Sequence, residues 1–183
     1  MTATVLTALS EIAADAPLRR AVMERIGTCD DIADREQALL MPDVPGPVSL
    51  LERAALAHHV AALMQNDQLA GRYARKLKKV AAPQDPVPGL ILIETSRAAS
   101  LFPDPHRISG PRRALIGDRL DAAFRYVHAA LAGHGRARAY PAGWDRDSTE
   151  ILSRILTMVS FQTRLLTGLR QCAATRNAAY SGR

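Results

Sequence analysis

The stretch Ser49-Leu-Leu-Glu-Arg-Ala-Ala-Leu-Ala-His-His-Val-Ala-Ala-Leu-Met-Gln-Asn-Asp-Gln-Leu-Ala-Gly-Arg-Tyr73 decides how the chain reads. Ser49 and Glu52 follow a proline-rich connector, so the serine hydroxyl can accept from an early helix N–H while the glutamate reaches back to the cap amide. A helix therefore starts here. Leu50, Ala54, Ala57, Ala61 and Met64 recur at helical spacing, and Leu56, Val60 and Leu63 widen the stripe until most of the circumference is apolar, as in a buried helix. Gln65-Asn66-Asp67 interrupts the pattern, and Asn66 or Asp67 suits the N-cap of a second helix carrying Leu69, Tyr73, Leu77 and Val80. The stretch predicts two helices meeting at a polar joint.

Working outward, 183 residues is the length of one domain that buries a core without staples. Alanine and leucine dominate and no segment alternates apolar and polar residues for long, which predicts an all-α domain spanning 1–183. Its parts are N-terminal helices over about 1–41, the central pair over 49–80 and long C-terminal helices over 111–173. No apolar run approaches the roughly 18 residues of a membrane span, and the first 15 residues carry acids where a signal peptide would be basic. The expectation is a cytoplasmic protein with no membrane contact. The charge of +6 is spread over several helices without an aromatic-rich or glycine-rich module, which argues against a nucleic-acid partner.

In the N-terminal part, Val5, Leu6, Leu9 and Ile12 mark a helix over 2–15, and Pro17 opens a second with Leu18, Val22 and Ile26 that ends at Gly27. Thr28 caps a third over 29–41. Beyond the central pair, a connector over 81–89 leads to Leu90–Ile93; this run is either a lone strand or a helix toward Leu101, and the lack of a partner strand favours the helix. Pro111 opens a long helix with Leu115, Leu120, Phe124, Val127 and Leu131 on its core side, ending at Gly133–Gly135. The last helix places Ile151, Ile155, Met158, Leu165, Leu169 and Cys172 on one line and Leu152, Leu156, Val159 and Leu166 on the next. Gln162 interrupts the first line and needs a polar partner there, with Arg164 close by.

The segment ERAALAHHVAALMQNDQLAGRYARKL resembles the signature of the AhpD-like, or carboxymuconolactone decarboxylase (CMD) domain, proteins, in which a glutamate-bearing helix ends at a joint reading roughly N-G-C-x-x-C-x-x-x-H. GWDRDSTEILSRILTMVSFQTRLLTGL is similar to the final helix of a divergent branch, so the likeness runs from about Asp15 to Leu169. The resemblance implies an AhpD-like helical fold, a closed homo-oligomer and a peroxidase-related ancestry. Glu52 falls near the family's glutamate, Asn66 and Leu69 fall where its cysteines stand, and Arg72 or Tyr73 falls at its histidine. The dithiol is absent, and neither asparagine nor leucine can cycle as a thiol does.

The chemistry open to the sequence centres on that joint. Glu52 is the candidate acid or base, against a plain capping role, and Arg72 or Tyr73 could pair with it across the joint. Cys29 and Cys172 read as free thiols; Cys29 sits in a helix first turn, where the dipole favours a thiolate and Asp30 and Asp31 oppose it. His58 and His59 project about 100° apart and cannot chelate one metal together, and His106, His128 and His134 add no ligand spacing. No metal or cofactor is expected. Arg72, Arg75, Lys76, Lys78 and Lys79 form a basic stripe that is either a solvated face or a seat for an anionic partner. Three functions stay open: a CMD-like protein without thiol chemistry that binds a small molecule at a site of Glu52, Asn66, Arg72 and Tyr73, a non-catalytic subunit whose helices serve assembly, and an antioxidant enzyme using a thiol elsewhere.

Overall fold

The computed structural model describes residues 29–133 and 140–181, with side chains at 32–133 and 140–171. The helices expected over 2–15 and 17–27, together with His134 and the side chains of Cys29 and Cys172, lie outside the described residues. Seven helices and no strand are present among those described: α1 (Cys29–Leu40), α2 (Leu50–Leu63), α3 (Asp67–Val80), α4 (Val87–Leu101), α5 (Gly110–Ile116), α6 (Asp118–Leu131) and α7 (Arg146–Ser181). The protein is all-α. The described residues divide into two compact units, one within 39–160 and one combining 29–38 with 161–181.

In the larger unit α2 is the axis, packing against α3, α4 and α6. Its apolar circumference accounts for this, since Ala54, Ala55, Leu56, Ala57, Val60 and Ala61 are all fully buried. The small residues are therefore spent on packing within the chain. Both halves of the capping box form: Ser49 Oγ accepts from Glu52 N at 3.2 Å, and Glu52 Oε2 accepts from Ser49 N at 2.8 Å. Arg53, buried beside them, donates to the carbonyls of Leu39, Pro45 and Val48 and so fixes the proline-rich connector against α2. Burial pulls its pKa down, against an upward pull from Glu52.

The joint forms where the sequence puts it. Met64 caps α2, Gln65 turns the backbone at φ 55°, and Asn66 caps α3. The run Leu90–Ile93 is helical. Its buried positions, Pro88, Ile91, Glu94, Thr95 and Ala98, follow helical spacing, and Asp85 Oδ1 holds the amide of Val87 at 2.9 Å.

One expectation needs correction, because the long helix from Pro111 is two helices. Gly117 sits between them at φ 93°, a conformation no helix accepts, and its carbonyl takes the amide of Asp121 to begin α6. The break rotates the first segment, so Ile116 is buried and Leu115, assigned to the core from the 3.6-residue period, is 57% exposed.

Trp144 is buried below the turn that precedes α7, its indole donating to the Arg119 carbonyl at 2.8 Å. Gly143 stands at φ 78° there, and a Cβ would lie 3.5 Å from Arg119 Cβ. Along α7 the buried line in the larger unit is Leu152, Ile155 and Val159, the second of the two stripes with one member of the first. In the smaller unit Gln162, buried as expected, donates to Glu36 Oε2 at 2.9 Å, beside buried Leu166 and Leu169. Arg164 faces outward instead.

Candidate functional site

The residues singled out from the family pattern do not form one site. Glu52 opens α2 and Asn66 follows its other end, a separation of about 20 Å along a helix rising ~1.5 Å per residue. Glu52 pairs with Arg119, whose Nε lies 3.0 Å from Oε1, and not with Arg72 or Tyr73. Arg119 also donates to the Pro47 carbonyl at 2.6 Å and lies over the Trp144 ring, so Glu52 belongs to a knot joining the starts of α2, α6 and α7.

At the joint, Asn66 Oδ1 accepts the Leu69 amide at 3.1 Å, so the two positions that the resemblance sets against cysteines are the two ends of a helix cap. Asn66, Leu69 and Tyr73 are all buried, and the Arg72 guanidinium lies 5.6 Å from the Tyr73 ring centroid. Arg75, Lys78 and Lys79 face outward from α3, the arrangement of a solvated stripe.

A different set of residues surrounds a cavity of about 530 Å³ in the larger unit. Its walls come from α2, α4, α5, α6 and the loop between α4 and α5. Helical spacing puts Glu94 on the buried side of α4 with Ile91 and Ala98, which leaves a carboxylate only 2% exposed. Three basic side chains meet it: His106 Nε2 lies 2.8 Å from Oε2, while Arg112 and Arg97 reach Oε1 at 2.6 and 3.0 Å. Burial alone would push the Glu94 pKa up, but the His106 and Arg112 contacts outweigh it and hold the carboxyl below its usual range. The carboxylate is ionised and can only accept, so Nε2 of His106 carries the proton and Nδ1 presents a lone pair when the ring is neutral.

His59 forms the α2 wall. Its ring stacks on Phe124 at 4.2 Å between centroids, with Nδ1 3.2 Å from Thr95 Oγ1. Burial, reinforced by His58, His128 and His106, pushes its pKa down to about 3, so the ring is neutral. His128 closes the far side, donating to the Asp104 carbonyl at 3.0 Å against the edge of Phe102. His58 turns the other way and donates to the Ala70 carbonyl, as the divergence of adjacent helical positions requires. Asp121, on α6, lies 3.3 Å from Arg113 and 3.0 Å from Arg125.

Spacing along the chain concealed this assembly. His59, Glu94, His106 and His128 come from four separate segments, and the one local signal was Glu94, an acid at a core position of an apolar run. Among the described residues no three His, Cys, Asp or Glu side chains are placed to hold a metal ion. The set suits hydrogen bonding, charge recognition and proton transfer at His106. Comparison of the chain with protein-family models, curated proteins and solved structures returned no match.

Proposed function

We propose that this chain binds a small organic molecule in the cavity walled by His59, Glu94 and His106, as a CMD-like protein without dithiol chemistry. The observation that carries the reading is the cavity itself: about 530 Å³, within the range of small-molecule sites, with ionised and neutral polar groups converging on it from separate elements. The Asn66–Leu69 cap supports the second half, because those positions hold a helix start together and offer no sulfur. The ligand site is accordingly moved from the joint to the cavity. A cytoplasmic location goes with this reading; no helix among the described residues is long and apolar enough to cross a membrane.

A fragment screen by thermal shift on the full chain tests it. Ala98 is buried on the cavity wall, and Ala98→Leu extends a side chain into that space. Fragments that raise the melting temperature of the parent and not of Ala98→Leu support the proposal; the same response from both proteins counts against it.

One observation favours a second, catalytic reading of the same cavity. The buried Glu94 carboxylate fixes the His106 ring and tautomer, as an orienting acid does for a general base. Turnover that disappears in His106→Gln while ligand affinity is retained would establish it.

The homo-oligomer expected from the family likeness does not draw on the alanine stripe of α2, which is internal. Light scattering over a wide concentration range decides it.

A further inference from the structure

We propose that the ligand of this cavity is an organic monoanion, a carboxylate carried on an apolar body; this rests on the reading of the cavity as a ligand site. The charge around it is unequal. Both buried carboxylates are shared by two arginines, Glu94 by Arg97 and Arg112, and Asp121 by Arg113 and Arg125. A fifth, Arg107, is exposed, lines the cavity and makes no hydrogen bond or ion pair among the described residues. The only other acid in the network is Asp118, which takes Arg113 at 2.7 Å and is 80% exposed. Of these groups Arg107, Arg113 and Arg125 line the cavity against two lining carboxylates, Glu94 and Asp121, so three guanidinium groups, each partly in water, face two acids there.

The geometry of the excess matters as much as its sign. Arg113 and Arg125 converge on a single oxygen, Oδ2 of Asp121, which brings their guanidinium groups to one side of the cavity and leaves donors on each uncommitted. A planar carboxylate matches the guanidinium fork, which places two parallel donors on two acceptor oxygens. An ammonium ligand would meet the same excess as repulsion, and a neutral amide would leave it uncompensated. The remaining wall is apolar: Ala98, Ile108, Phe124 and Ala129 offer an aliphatic and aromatic surface for the rest of the molecule. Neutral His59, stacked on Phe124, adds a hydrogen-bonding group without adding charge.

The test uses three probes of one shape, 4-phenylbutanoate, 4-phenylbutanamide and 4-phenylbutylamine, titrated into the full chain with affinity read from amide NMR shifts. The acid should bind at least about tenfold more tightly than the amide, the scale of one charge-assisted contact, and the amine weakest of all. Arg107→Gln and Arg125→Gln should each lower acid affinity by about tenfold while leaving the amide within about twofold. If Arg125→Gln loosens the fold by freeing Asp121, Arg107→Gln carries the test alone, since Arg107 holds no protein partner among the described residues. Equal binding of acid and amide, or preference for the amine, overturns the anion assignment and leaves the cavity reading standing. No shift at His59, Ala98 or Phe124 with any probe overturns the cavity reading and the anion assignment together.

Discussion

His106 donates through Nε2 to Oε2 of Glu94 at 2.8 Å, tying the loop between α4 and α5 to a carboxylate that is 2% exposed. Because Arg112 and Arg97 share the other oxygen, Glu94 is the point on which α4, the loop and α5 are aligned around the cavity.

Removing that carboxylate leaves its cationic partners facing a buried gap. Glu94→Ala should cost about 3 kcal/mol in urea denaturation, and Glu94→Gln, which keeps the shape and some hydrogen bonding, about half as much.

Acid should destabilise the protein in two stages. His59 has its folded pKa pushed down to about 3 against an ordinary 6.5, so the unfolded chain binds the proton more readily between those values. Its contribution is complete above about pH 6.5 and declines at up to ~1.4 kcal/mol per pH unit as pH falls toward 3. His58, also lowered by burial, adds a slope of the same sign. Glu94, held below its ordinary value, stabilises above about pH 4.5 and loses that stabilisation as pH falls through its folded pKa. Denaturation midpoints from pH 7 to 3 should show both stages, with His59→Phe flattening the first and Glu94→Gln the second.

Glu52 should prove structural. Glu52→Ala removes half of the capping box and the partner of Arg119, a loss of about 1–2 kcal/mol, while ligand affinity in the cavity stays unchanged. A drop in affinity at unaltered stability would return Glu52 to the site.

The joint should tolerate loss of chemistry and not loss of packing. Asn66→Ala should cost about 1 kcal/mol as a lost cap, and Leu69→Ala about 2–4 kcal/mol as a cavity beside α2. Cys29→Ser and Cys172→Ser should leave peroxide consumption with dithiol donors at background, as in the parent.

Two backbone positions give opposite signs. Gln65 adopts φ 55°, so Gln65→Gly should stabilise by about 0.5–1 kcal/mol; Gly117 adopts φ 93°, so Gly117→Ala should destabilise by at least as much. Thermal melts of the pair are sufficient.

The helices were legible where short-range chemistry dictates them. Ser49 with Glu52, and Asn66, each specify structure within one or two turns, whereas the helix through Leu90–Ile93 was favoured only because a strand there would lack a partner. Gly117 was misread because a period of 3.6 runs through it, although a glycine followed by Asp118 is also how one helix stops and another starts. The family pattern drew attention to Glu52 and Asn66, which helix length alone keeps apart. The cavity was not legible, since its polar groups come from four segments whose meeting depends on how α2, α4 and α6 cross. Glu94 was passed over as well, although an acid inside an apolar helical stripe demands partners that only tertiary structure supplies.

The central claim is that a small molecule occupies the cavity between α2, α4 and α6 and not the joint at 66–73. Amide chemical-shift mapping of the full chain with any fragment found by thermal shift tests it most directly. The account predicts shifts clustered at His59, Ala98, His106 and Phe124, abolished by Ala98→Leu. Shifts clustered at Asn66, Leu69 and Tyr73 would contradict it and return the site to the position the family pattern marks.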